Sequence, residues 1–174
     1  MSTDEIIQQI TETVKNFASQ FYQDLAWRAG QMIPGMDGKM LLTPEQYADP
    51  LKYMMEPQEW LTMATYAVGL LPDADPGEIY EICQALAEWM FSIPGESAYE
   101  IPAAWYATPV GALWATAFVK VQGDELISIA EAAEMAGVSV QAVSQRIDRG
   151  TLKSYVNPLA SERQGKRLVK KSDV

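Results

Sequence analysis

The stretch that most constrains this chain runs from Glu125 to Val174, ELISIAEAAEMAGVSVQAVSQRIDRGTLKSYVNPLASERQGKRLVKKSDV. Ser128 precedes Glu131 by three residues, the spacing at which two side chains cap each other's backbone N–H at a helix start. An alanine-rich run follows, and Ile129, Ala132, Ala133 and Ala136 fall on one face of the helix it predicts. Those side chains are small enough to admit a second helix at close range. Gly137 ends the first helix, because glycine takes the left-handed conformation with no Cβ clash. Val138 is placed to plug the gap between the two helices. Ser139 caps a second helix over Val140–Arg149, whose Val143 and Ile147 turn back toward the first, and Gly150 stops it. Two short helices joined by a glycine-containing three-residue turn make a helix-turn-helix.

Leu152–Val156 and Arg167–Lys171 have the composition of strands, and the turn-forming NPLASERQG lies between them. The hairpin they predict forms a wing beside the second helix and carries Lys153, Arg163, Lys166, Arg167, Lys170 and Lys171. Ser172-Asp173 is placed to cap a further helix. With these elements in view, AEAAEMAGVSVQAVSQRIDRGTL followed by GKRLVKKSDV resembles the winged helix-turn-helix of the MerR and phage-excisionase superfamily. The likeness is carried by Ala133, the Gly137-Val138-Ser139 turn, Val143, Ile147, Gly150, the Arg167-Leu168-Val169 strand and the terminal Ser172-Asp173-Val174. It covers the C-terminal third alone. Arg146 departs from the pattern by standing where such helices carry an apolar residue, so its aliphatic stem would have to lie along the core. No helix follows the wing, and the module comes last where many members of the superfamily place it first.

Charge divides the chain the same way. Residues 1–120 hold five Lys/Arg against sixteen Asp/Glu, whereas residues 140–174 hold eight against three. Only the tail can attract a polyanion. One cysteine, Cys83, cannot form an internal disulfide and reads as a small buried hydrophobe in a reducing, cytoplasmic setting. The acidic, amphipathic start MSTDEIIQQITE does not have the pattern of a secretory or transit peptide, and no apolar run reaches the roughly 18 residues of a membrane span.

The preceding 121 residues read as a helical bundle. Ile6, Ile7, Ile10, Val14, Phe17, Phe21, Leu25 and Arg28 recur at helical steps in a long helix capped by Thr3 or Asp4 and ending near Ala29. IPGMDGK marks a turn, and Thr43-Pro44-Glu45-Gln46 opens a short helix. Pro57–Leu71 predicts another helix, with Trp60, Leu61, Ala64, Val68 and Leu71 inward. Asp75 caps, Pro76 starts and Glu78 closes the box of the next, which buries Ile79, Ile82, Cys83, Leu86, Trp89 and Met90. The acids around it (Asp73, Asp75, Glu78, Glu81) are explained by the positive end of that helix rather than by a cation. Thr108-Pro109 opens a last helix over Val110–Val121, with Leu113, Trp114, Ala117 and Phe118 inward. The five tryptophans and nine methionines either fill this core or line a pocket for a small effector.

The expected architecture is therefore mostly α: an acidic helical domain, 1–121, then a winged helix-turn-helix with a small β-hairpin, 122–174. With no histidine and no phosphate-cradling glycine loop, the sequence predicts neither an enzyme nor a cofactor or metal site. The resemblance implies a sequence-specific regulator of double-stranded DNA. Val140, Gln141, Ser144 and Gln145 would face base edges in the major groove. Ser139, with the amides behind it, and Arg149, Lys153, Arg163, Lys166, Arg167 and Lys170 would hold the backbone. Asp148, on the same outward face, opposes close docking. One module reads only a few base pairs, so the helical domain is expected to supply a homodimer. The other class left open is a protein-interaction adaptor that works through the helical domain and docks a protein with the helix pair.

Overall fold

Capping side chains set where the helices of this protein begin. The computed structural model describes residues 2–32, 43, 45, 48–49, 52, 57–92, 99–157, 160 and 167–174. They form a mostly helical protein with a small three-stranded antiparallel sheet, and they divide into two compact units, Met1–Thr62 and Met63–Val174. The expected IPGMDGK turn, and Pro44 and Gln46 of the short helix expected after it, lie outside the described residues.

In the first unit, helix α1 covers Thr3–Met32. Its cap is Ser2, one residue earlier than expected: Glu5 N donates to Ser2 Oγ at 3.2 Å and Ser2 N donates to Glu5 Oε2 at 2.6 Å. Ile10, Val14, Ala18 and Ala26 are buried, but Ile7 is 46% exposed, so the apolar stripe starts a turn later than its spacing suggested. The Phe17 ring lies 5.1 Å from that of Trp60, tilted at 49° to it, and Trp60 comes from the first turn of helix α2 (Pro57–Ala67).

Helix α2 stops at Ala67, so Val68 and Leu71 sit half-buried in the turn beyond it. Asp75 caps helix α3 (Pro76–Phe91) by accepting from Gly77 N at 2.9 Å. Cys83 is fully buried on that helix, and burial pushes its thiol up to about 12. The centre of the second unit is helix α4 (Pro109–Val121), in which Val110 to Ala115, Ala117 and Val119 are all buried. It is enclosed on more sides than a one-faced stripe predicts. Trp114 Nε1 ties α4 to α3 by donating to Cys83 O at 2.9 Å. A 3-10 turn at Ala103–Ala107 precedes α4, and Gly111 lies directly over it.

Beyond α4 come strand β1 (Leu126–Ser128), helix α5 (Ile129–Ala136), helix α6 (Val140–Asp148), strand β2 (Tyr155–Val156), strand β3 (Arg167–Lys170) and a 3-10 turn at Lys171–Asp173. The Ser128–Glu131 box is formed in both directions, at 2.8 and 3.2 Å, and Gly137 ends α5 at φ 64°. Ile127, Ala132, Ala133, Val143, Leu152 and Val169 make a core of their own, with Ile129, Ile147 and Val174 packed against it. β3 lies between β1 and β2, antiparallel to both, with Ile127 opposite Val169 and Tyr155 opposite Leu168. β1 has no counterpart in the sequence reading, because three residues are too few to display alternation. The strand expected from Leu152 shrinks to two residues. Thr151 N and Leu152 N both donate to Arg146 O, so that backbone finishes α6 while the Leu152 side chain fills the core.

Two carboxylates hold this region together at its rim. Hydrogen bonds from the Ser172 hydroxyl and then the Glu125 N–H keep Asp124 below its ordinary value, and Ser128 does the same for Glu131. Depressed values in the folded state contribute stability that is complete above the ordinary carboxylate range and lost as pH falls through them. Thermal melts between pH 7 and pH 3 should therefore show a fall that is shallower in Asp124→Asn/Glu131→Gln. Parallel curves would contradict this.

Candidate nucleic-acid interface

Helix α6 is anchored on one side and open on the other. Ser139 starts it by accepting from Ala142 N at 3.2 Å. Val143 is 1% exposed and Ile147 packs partly against the same core, so the step of four that turns these two inward leaves the other side of the helix outward. On that stripe Val140 is 50% exposed, Gln141 and Gln145 are exposed, and Ser144 is half-buried. None of the four side chains expected to face base edges is sealed inside the protein. Arg149 is exposed at the far end, where its N–H closes the helix on Gln145 O at 3.0 Å.

The cations are less uniform than their sequence suggests. Arg167 reaches from β3 to α6, its Nη1 2.9 Å from Asp148 Oδ1. Both side chains are well exposed, so the pair adds at most about 1 kcal/mol, but it neutralises the one acid on the outward face of α6. Lys171 pairs with Glu125 at 3.1 Å. Lys153 places its ammonium 4.4 Å from the centre of the Tyr106 ring and 5.2 Å from that of Tyr155. Lys170 is half-buried on β3. Arg163 and Lys166 lie outside the described residues.

No protein family, curated protein or solved structure matches this chain.

Val138 differs from its expected role. Ala132, Ala133 and Val143 already close the space between the helices, and Val138 N continues the turn by donating to Ala133 O at 3.0 Å. Its side chain is left 45% exposed beside Met135, at 54%, and Val140. Tyr106 and Tyr155 are residues that the sequence reading did not single out. No periodic signal joins positions so far apart in the chain. A cleft of about 610 Å³ does open beside Lys120, Asp124, Glu125 and Lys171, but no tryptophan lines it. Lys120 is engaged there, donating to Tyr66 O at 3.3 Å. Among the described residues no helix is long and apolar enough to cross a membrane, and no cluster of three or more Cys, Asp or Glu is placed to hold a metal ion.

Proposed function

We propose that residues 125–174 form a winged helix-turn-helix that binds double-stranded DNA, with α6 in the major groove and the β2–β3 hairpin as the wing. The observation that carries this reading is the open stripe of Val140, Gln141, Ser144 and Gln145, on a helix whose other face is locked by Val143. Glutamine amides offer paired donors and acceptors to adenine, and valine suits a thymine methyl. Arg149, Lys170 and two cations of the intervening sequence, Arg163 and Lys166, supply the phosphate contacts, and Asp148 is neutralised by Arg167. Pairing of two copies through the helical part gives the length of site that one module lacks, and a monomer by light scattering at micromolar concentration would remove that half of the proposal.

Selection from random duplexes with the full chain should return a short preferred sequence. Binding should weaken steeply with salt, and Arg149→Glu/Lys170→Glu should lower the slope of log K against log salt by roughly 0.9 per phosphate contact removed. Retention that is indifferent to salt and to both substitutions would sink the reading. A second reading rests on Met135, Val138 and Val140, three apolar side chains that are each exposed at or next to the helix turn. It makes the helix pair a dock for another protein, and predicts that selection returns no sequence.

A further inference from the structure

The core of the C-terminal region is closed upon itself, yet one of its most buried side chains is missing from it. Tyr155 is only 6% exposed, and it meets Tyr106, from the 3-10 turn before α4, edge to face at 6.0 Å. Tyr106 in turn lies 6.3 Å from Trp114, and Trp114 stacks on Phe118 at 4.8 Å. An aromatic path thus runs from the interior of α4 to strand β2. Lys153 stands over both tyrosine rings at its end. The negative faces of the rings attract the ammonium, while burial raises both phenols, Tyr155 to about 12, so neither ring ionises near neutrality.

We infer that Lys153 is a positioning residue: its ammonium closes a Tyr106–Tyr155 clamp that fixes the α5–α6 pair and its sheet on helix α4. In duplex binding it sets the orientation of α6 and contacts no phosphate. This revises the role expected for Lys153 from the sequence, and its binding arm rests on the proposed function. The two roles predict opposite signatures. A phosphate contact contributes to the salt slope and has no need of Tyr106. A clamp leaves the slope alone, and the losses from its two partners are not additive.

The test compares the full chain with Lys153→Met, Lys153→Arg, Tyr106→Leu and the Lys153→Met/Tyr106→Leu double variant, using a mixed-sequence duplex as probe. In the native protein the Lys153 ε-methylene protons should resonate upfield, under the tyrosine ring currents, and return to ordinary positions in Tyr106→Leu. Lys153→Met and Tyr106→Leu should each weaken binding about two- to fivefold, the worth of an exposed cation–π contact. The double variant should lose less than the sum of the two single losses, the salt slope should not change, and Lys153→Arg should restore binding. A slope lowered by one contact in Lys153→Met, or unshifted ε-methylene protons in the native chain, overturns the inference. If Tyr106→Leu does not fold, the slope in Lys153→Met decides alone. If the native chain binds no duplex, the DNA reading falls and the clamp is judged separately. Ring-current shifts and non-additive losses of thermal stability then uphold it, and their absence refutes it.

Discussion

Gly111→Ala is expected to destabilise the protein by about 3 kcal/mol, at the upper end of what overpacking a closed site does. An added Cβ would lie 2.0 Å from Trp105 O and 2.7 Å from Trp105 C, both backbone atoms, and 2.8 Å from Thr108 Oγ1. A flexible side chain could swing away, but the 3-10 turn cannot. It is pinned by Thr108 N and Thr108 Oγ1, which donate to that same Trp105 oxygen at 2.9 and 2.8 Å. Thr108 Oγ1 also accepts from Gly111 N at 3.0 Å, so moving the turn undoes the cap of α4, which accounts for ~1 kcal/mol of that loss. Since α4 is buried along nearly its whole length, the loss should appear in global unfolding, as a fall in Tm of roughly 10 °C. Gly123→Ala is the comparison. Gly123 has φ 77° and nothing within 4 Å of an added Cβ, so it bears backbone strain alone, about 1 kcal/mol. Equal melting temperatures for the two variants would show that the turn yields freely and that Gly111 is not needed for close approach.

This contrast also marks what could be read from the sequence. Features that reach three or four residues along the chain were legible: Ser128 with Glu131, Asp75 ahead of Pro76, Thr108 ahead of Pro109, and the left-handed Gly137. Each is a bargain between a side chain and its own backbone, so the local sequence contains both parties. The outward stripe of α6 was legible for the same reason, since burying Val143 and Ile147 determines where Gln141 and Gln145 must point. Pairings between distant residues left no trace. Lys153 read as one more cation of the wing until Tyr106 was beside it, and Asp148 read as an obstacle until Arg167 reached across from β3. Ser172 read as the cap of a further helix, but it closes onto Asp124 instead. Charge composition counts such residues correctly and says nothing of which are already engaged.

The site itself is best tested where exposure and chemistry coincide. Gln141→Ala and Gln145→Ala should each weaken binding to the selected duplex by about 1–3 kcal/mol, up to roughly a hundredfold, if their amides make paired contacts to adenine. Mixed-sequence binding should hardly change, because it draws on phosphates that neither residue touches. The salt slope should stay as it was. Both side chains are exposed, so thermal stability should move by no more than about 0.5 kcal/mol, which separates lost recognition from lost fold. Val143→Ala gives the opposite pattern: its side chain is sealed in the core, so it should lower stability while leaving base preference intact in the molecules still folded. Equal losses on selected and mixed duplexes would instead make the glutamines part of a general docking surface. No loss on either would mean that base recognition, if it occurs, lies away from α6.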